Sequence, residues 1–291
     1  MTSNALDDLV RLLDLENLEV NIFRGESRDL GGRSVYGGQV VGQALVAAAR
    51  TTSDAMPHSL HAYFLRPGEM TQSIVYDVDR VRDGRTFAAR RVQAIQNGKP
   101  ILSMIASFQR PEPGLSHQQT MPDVPAPETL DDQDALRDRW LALHPDAPER
   151  ARRALLRQTA IEFRPVSPTD PFTPEPHAPA QHIWFRASGT LPDDAMLHRC
   201  VLAYASDFSL LSTALLPHAR SYLSQDMVVA SIDHAVWFHR DFRADDWLLY
   251  SMDAPTAQGS RGLSRGQIWT RSGELVASVA QESLMRDISD T

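Results

Sequence analysis

Asp207 is the carboxylate least in keeping with its surroundings. It interrupts the run Ala203-Tyr204-Ala205-Ser206-Asp207-Phe208-Ser209-Leu210-Leu211, which is otherwise apolar or small. Read as a helix start, this run gives the carboxylate two possible uses. It accepts hydrogen bonds from the free amides of the first turn as a cap, or it sits at the positive end of the helix dipole and orients or deprotonates a water. In the second use the same amides would stabilise an oxyanion. Two strand residues carry matching polarity: Ser231 follows Val228-Val229-Ala230, and Gln281 lies in Val279-Ala280-Gln281-Glu282-Ser283. A hydroxyl and an amide at strand ends are often only solvated. Held near Asp207, they would fix a water by donating and accepting hydrogen bonds. Spacing alone does not bring the three together.

Other chemistries find less support. His58, His61, His234 and His239 follow strand spacing rather than a ligand motif, so no metal site is expected, and His58 and His61 read as strand-edge or interface residues. No Gly-x-Ser-x-Gly elbow, Walker A loop or dinucleotide glycine pattern occurs. Cys200, the single cysteine, sits in Leu197-His198-Arg199-Cys200-Val201-Leu202 and reads as a buried helix residue rather than a nucleophile.

The elements that must position these residues come in two copies. Thirteen of the 19 prolines fall between 110 and 180 and break regular structure there. That stretch is expected to be a connection carrying a helix or two around Leu130 to Thr159. The units on either side are 1–109 and 181–291. In the first, a helix over Val40 to Arg50 precedes strands at His58–Pro67, Ser73–Val81, Thr86–Gln96 and Pro100–Gln109. In the second, a strand over Gln181–Ala187 and a helix over Val201 to Leu216 precede strands at Ile232–Arg240, Trp247–Ala254, Gly262–Thr270 and Leu275–Leu284. Asn97-Gly98 and Ser272-Gly273 mark hairpin turns 175 residues apart, and Phe64 and Phe238 stand 174 apart. A near-constant offset predicts a duplicated α+β unit, each one helix cradled by its own antiparallel sheet. Val40, Val41, Gly42 and Ala44 to Ala49 suit a helix buried on most sides. The two sheets are expected to join edge to edge, because each alone leaves unpaired edges.

The chain has 291 residues, 42% apolar and 23% charged, with net charge −8. This is a soluble globular composition, not a disordered or disulfide-stapled one. Mild acidity argues against a nucleic-acid partner. A single cysteine fits a reducing compartment, and no membrane span or signal peptide is expected from the apolar runs or from Met1 to Val10. Ile288-Ser289-Asp290-Thr291 is not a Ser-Lys-Leu address. The expected location is cytoplasmic.

Several segments together carry a family resemblance. They are Phe23-Arg24-Gly25, Tyr36-Gly37-Gly38-Gln39-Val40-Val41-Gly42-Gln43-Ala44, His61-Ala62-Tyr63-Phe64-Leu65-Arg66-Pro67-Gly68 and Arg82-Asp83-Gly84-Arg85. Later come Tyr204-Ala205-Ser206-Asp207, Ser231-Ile232-Asp233-His234 and Trp237-Phe238-His239-Arg240. Over nearly its whole length the chain resembles the acyl-CoA thioesterase II family, the double-hotdog thioesterases of bacteria and peroxisomes. The resemblance implies two fused hotdog units forming a continuous sheet. It also implies hydrolysis of fatty acyl-CoA by an activated water, without an acyl-enzyme and without a cofactor. The family's catalytic Asp and Gln fall on Asp207 and Gln281. Its usual Thr is here Ser231, which keeps the hydroxyl and loses the methyl. Homo-oligomers are implied. Coenzyme A carries phosphates, so Arg82, Arg85, Arg90, Arg91, Arg261 and Arg265 are candidates to meet them by charge alone. The first-half helix start, Tyr36-Gly37-Gly38, has no carboxylate. This predicts one hydrolytic centre per chain, with Gly37 and Gly38 presenting backbone to the thioester or oxyanion. Two other readings remain: a hotdog dehydratase or hydratase using a histidine, and a non-catalytic acyl-CoA-binding protein.

Overall fold

The computed structural model describes residues 5–30, 32–157 and 159–289. The first four residues of the expected N-terminal unit and Asp290-Thr291 of the C-terminal one lie outside the described residues. The first half contains α1 (Ala5–Leu13), β1 (Glu16–Glu19), β2 (Ile22–Gly25), α2 (Gly37–Ala49), β3 (Met56–Phe64), β4 (Ile74–Asp83), β5 (Phe87–Gln96) and β6 (Lys99–Gln109). The connection carries α3 (Gln133–Leu143), α4 (Glu149–Leu155) and β7 (Ile161–Pro165). The second half contains β8 (Ala180–Ala187), α5 (Ala195–Ala205), α6 (Leu210–Leu215), β9 (Met227–Ser231), β10 (Asp233–Phe238), β11 (Leu248–Gln258), β12 (Arg261–Thr270) and β13 (Leu275–Asp287).

One antiparallel sheet runs through both halves in the order β1-β2-β4-β5-β6-β3-β10-β13-β12-β11-β8-β7, with β9 added to β13. Outward from the centre, the two arms are β3-β6-β5-β4-β2 and β10-β13-β12-β11-β8. Each arm therefore repeats the other. At the seam β3 pairs with β10, and His61 faces Ala235. Along this antiparallel seam the separation of partners runs from 170 residues (Tyr63 and Asp233) to 178 (Ser59 and Trp237), and the pair 174 apart lies at its middle. The Asn97-Gly98 turn has φ values of 50° and 70°, the left-handed pair that a tight hairpin between twisted strands requires.

α2 packs against the strands of the first half, α6 against those of the second, and α5 against α2. Ten of the thirteen residues of α2 are buried, because sheet, α1 and α5 enclose it. Gly42 faces the α5 backbone, where a Cβ would stand 3.3 Å from the Cys200 carbonyl oxygen. Gly38, one turn earlier, abuts the Tyr204 carbonyl, so the two helices run antiparallel at close range. The buried Gln43 keeps its polar atoms paired with the Leu12 and Glu26 carbonyls and the Tyr76 hydroxyl. The main core is continuous across both halves.

The structure departs from the sequence expectation in the second-half helix and in added elements, among them α1, β1, β2, β7 and β9. The helix expected over Val201 to Leu216 is two helices. The first begins earlier, where Asp194 caps the Met196 and Leu197 amides, and ends at Ala205. The second starts after Ser209, which adopts φ 71° at a cost of ~1 kcal/mol. The Tyr250 hydroxyl donates to the Ser206 carbonyl at 2.9 Å and pins the break. The stretch Ala195–His218 is apolar enough for a membrane span by composition, with a mean hydropathy of 1.4, yet it is interrupted and mostly buried inside the protein. Within the connection the expected helix or two is found as α3 and α4, separated by Pro145 and Pro148. The connection also contributes β7, which extends the sheet beyond β8 and had no expectation attached. Its prolyl stretch crosses the outer face of the second-half sheet. There Met121, Val124 and Leu130 cover Trp184, Trp247 and Trp269, and the Trp184 indole donates to the Pro125 carbonyl.

Candidate active site

Asp207 lies in the break between α5 and α6, not at the start of its own helix as the sequence suggested. The helix start it meets belongs to the other half. The Gly38 N–H, in the first turn of α2, donates to Asp207 Oδ2 at 2.8 Å. Ser231, the last residue of β9, donates from its hydroxyl to Asp207 Oδ1 at 3.1 Å. The positive end of α2 therefore faces a carboxylate that is 8% exposed. The capping and functional readings converge: Asp207 caps α2 while keeping acceptor capacity on both oxygens.

The predicted partners come together here. Gln281, buried on β13, donates from Nε2 to Ser231 Oγ at 2.9 Å. Register explains the approach, because β9 pairs with β13 and sets Ser231 opposite Ser283, two residues along from Gln281 on the same face. The network then continues to two residues that sequence reasoning left out. Gln281 Oε1 lies 2.7 Å from His234 Nδ1, and His234 Nε2 lies 2.8 Å from the Ser206 hydroxyl. His234 and Ser206 are fully buried. The available signal was the alternation of β10, which sets His234 on the same buried face as Val236 and Phe238.

Aromatic rings wall the carboxylate. Tyr36 stacks on Phe208 at 4.4 Å and meets Tyr204 edge-on at 5.2 Å. Burial, reinforced by the Asp207 charge, holds the Tyr36 and Tyr250 hydroxyls well above their usual pKa, so both stay neutral donors. Phe64, at the end of β3, closes another side. A Cβ on Gly37 would stand 2.7 Å from Asp207 Oδ2 and 2.9 Å from Phe64 Cζ.

The two glycines divide the role expected of them. The Gly38 amide is engaged by Asp207, and Gly37 carries the neighbouring amide and leaves the space beside the carboxylate. The arginines divide further. Arg90 is buried, its guanidinium bonded to Thr51 Oγ1, the Thr51 and Arg82 carbonyls and Asp83, so it braces the end of α2. Arg82 and Arg85 are exposed at the β4–β5 turn, beside the Met56 end of β3. Asp207 is at the Phe64 end, a strand length of ~25 Å away. Arg91 pairs with Asp79. Arg265 pairs with Asp253 and, opposite Ala280 in register, stands on the sheet face turned away from Gln281. Arg261, opposite Leu284 in the same unbroken register, shares the face of Arg265 but lies at the strand end. It pairs with Glu282, precedes Gly262 (itself opposite Ser283), and borders a cleft of about 450 Å³ with His218, Arg220, Met227 and Met285.

The helix starts compared in sequence are not equivalent, since Tyr36 precedes α2 and Tyr204 lies near the end of α5. The asymmetry holds on other grounds. Seam register and offset set Leu60 and Ala106 of the first half at the positions of His234 and Gln281. Neither offers a hydrogen-bonding side chain.

The remaining candidates have structural partners. His58 bonds the Ser107 hydroxyl, His61 packs edge-on against Trp237, and His239 bonds the Ser278 hydroxyl. Cys200 is buried, which pushes its thiol up to about 12 and leaves no thiolate at neutral pH. Among the described residues no cluster of three metal-ligating side chains occurs.

Two helix-plus-sheet repeats fused edge to edge, with a carboxylate, a hydroxyl and an amide converging where the helices meet, define a double-hotdog protein. Residues 26–109 match the family model described as the acyl-CoA thioesterase N-terminal domain, and residues 155–284 match that of acyl-CoA thioesterase. The chain is 43% identical to acyl-CoA thioesterase 2 of Haemophilus influenzae, over 98% of this chain and 99% of that one. It is also 43% identical to human acyl-coenzyme A thioesterase 8, over 94% and 88%. The crystal structure of an acyl-CoA thioesterase II, TesB2, from Mycobacterium marinum matches with a TM-score of 0.79 and 43% identity, covering 97% of this chain and all of that one. The chain belongs to the acyl-CoA thioesterase II family of double-hotdog thioesterases.

Proposed function

We propose that Asp207, Ser231 and Gln281 perform the acyl-CoA thioesterase reaction of this chain, in which fatty acyl-CoA and water give a free fatty acid and coenzyme A. The observation that carries this reading is the continuous hydrogen-bonded path from Gln281 through Ser231 to a carboxylate at the α2 N-terminus. A water held by Asp207 and the Ser231–Gln281 pair attacks the thioester carbonyl, and Asp207 takes its proton. The tetrahedral oxyanion faces the first turn of α2, where the Gly37 N–H is the amide next to the one Asp207 occupies. Collapse expels the thiolate, and the proton on Asp207 returns to sulfur. Holding the water against both the carboxylate and the carbonyl carbon supplies much of the rate. Free-thiol release from a panel of acyl-CoAs, with the acid identified by mass, tests the reading. Binding without thiol release would favour an acyl-CoA-binding protein. Hydration or dehydration of the acyl chain would favour the histidine-dependent alternative, although His234 has both ring nitrogens already bonded inside the protein.

The inner row Gln281, Ser283 and Met285 of β13 leads from Asp207 to the cleft bordered by Arg261, Arg220 and His218. Asp287 lines the same cleft, and Arg220 and Arg261 pair with Asp287 and Glu282, so a coenzyme A phosphate entering from that side would exchange with these carboxylates. Arg261→Glu is expected to raise KM roughly 5-fold, the loss of about 1 kcal/mol of charge pairing, and to leave kcat unchanged. An unchanged KM would move the phosphates elsewhere.

A homo-oligomer is part of the same reading. The connection covers the outer face of the second-half sheet, whereas on the first half Tyr63 and Ile105 are 59% and 47% exposed beside the seam. That apolar patch supports pairing with a second copy, and light scattering that returned only the 32.4 kDa monomer would oppose it. A cytoplasmic location is supported by the buried, unpaired thiol of Cys200 and is checked by cell fractionation.

A further inference from the structure

The path that ends at Asp207 begins four groups earlier, and its direction is fixed from His234 Nδ1 onward. A carboxylate only accepts, so the Ser231 hydroxyl, 3.1 Å away, must spend its single hydrogen on Asp207 Oδ1. Ser231 Oγ must then accept from Gln281, which sets the amide nitrogen toward Ser231 and the amide oxygen toward His234. The second amide hydrogen reaches the Ser283 hydroxyl at 3.2 Å. His234 Nδ1, at 2.7 Å from that oxygen, must carry a hydrogen. His234 Nε2 lies 2.8 Å from the Ser206 hydroxyl, whose single hydrogen also has the Ala203 carbonyl oxygen within reach at 3.1 Å. Turning the Gln281 amide over would set Ser231 Oγ against two acceptors at once and leave one of them without a donor.

We propose that His234 is a positioning residue for hydrolysis: its Nδ1–H fixes the orientation of the Gln281 amide and so sets the Ser231 hydroxyl on Asp207. It touches no substrate. It sits directly behind Gln281, between a β13 amide and a serine adjacent to Asp207 in sequence. It thereby ties the two ends of the water-holding group to one ring. Deprived of that donor, the amide of Gln281 can rotate, and its oxygen competes for the Ser231 hydrogen that Asp207 now receives. The proposal rests on the reading of Gln281 as a water-holding group.

The test compares substitutions by where they place a donor. In Asn the amide nitrogen overlies the Nδ1 position, while in Gln it reaches the Nε2 position and faces Ser206 instead. His234→Asn is expected to keep kcat within a few-fold. His234→Gln and His234→Phe are expected to lose ~10²-fold in kcat with KM within twofold, the cost of misplacing a catalytic group by about an ångström. In a Gln281→Ala background, His234→Phe should cost less than twofold more, because the residue acts only through that amide. Melting curves accompany each variant, and the Asn–Gln pair keeps the test usable if the Phe variant does not fold. Wild-type kcat in His234→Gln, equal losses in the Asn and Gln variants, or full additivity with Gln281→Ala would each overturn the proposal. Unchanged kcat in Gln281→Ala alone would instead remove the reading it rests on, so the two failures are distinguishable.

Discussion

Asp207→Asn is expected to lower kcat for acyl-CoA hydrolysis by ~10²-fold or more while leaving the melting temperature nearly in place. The two contacts of the carboxylate explain the separation. An Asn side-chain oxygen still accepts from the Gly38 N–H at the position of Oδ2. Its nitrogen then faces Ser231 Oγ, which has acceptor capacity. The α2 cap and the tie to β9 both survive, and only the proton acceptor is lost. If activity stayed near wild type while stability fell, Asp207 would be a cap and the reacting water would belong elsewhere.

The second large effect concerns two neighbouring glycines with opposite outcomes. Gly37→Ala places a methyl 2.7 Å from Asp207 Oδ2 and 2.9 Å from the Phe64 ring. Both neighbours are side-chain ends that can move, and alanine favours the helix by up to ~1 kcal/mol. Stability should hold or rise, whereas kcat should fall ~10²-fold as the carboxylate leaves the Gly38 amide. Gly38→Ala instead drives a methyl into the Tyr204 carbonyl oxygen, which is backbone, and into the Tyr36 ring. It should destabilise the protein by roughly 1–3 kcal/mol through separation of α2 from α5. Thermal melting and kcat measured on both variants check this contrast. Equal behaviour of the two glycines would mean that neither sets the carboxylate geometry.

Much of the scaffold was legible because antiparallel strands advertise themselves. Period-two alternation and the Asn97-Gly98 turn located β3 to β6, and the same grammar 174–175 residues later located β10 to β13. The break after Ala205 was not legible. It depends on Ser209 in a left-handed conformation that glycine would have announced, and on a hydroxyl from Tyr250, 44 residues away. The site was half legible for the same reason. Asp207, Ser231 and Gln281 each stood out as polar residues in apolar runs. Their meeting depends on the β9–β13 pairing, and the amide that caps Asp207 comes from the other half of the chain. His234 looked like one more strand histidine until both its ring nitrogens were placed. Charge alone did not separate the arginines: Arg90 is buried against Asp83, Arg265 pairs with Asp253, and Arg82 and Arg85 stand at the end of β3 far from Asp207.

The central claim is that water held at Asp207 attacks the thioester directly. A single turnover in ¹⁸O-labelled water, with enzyme in excess over acyl-CoA, tests it when the quenched acid and the intact protein are both weighed. The account predicts one ¹⁸O in the free acid from the first turnover, stoichiometric coenzyme A, and no protein species heavier by the acyl group. An acylated protein in the quench, or acid that carries no label, would contradict it.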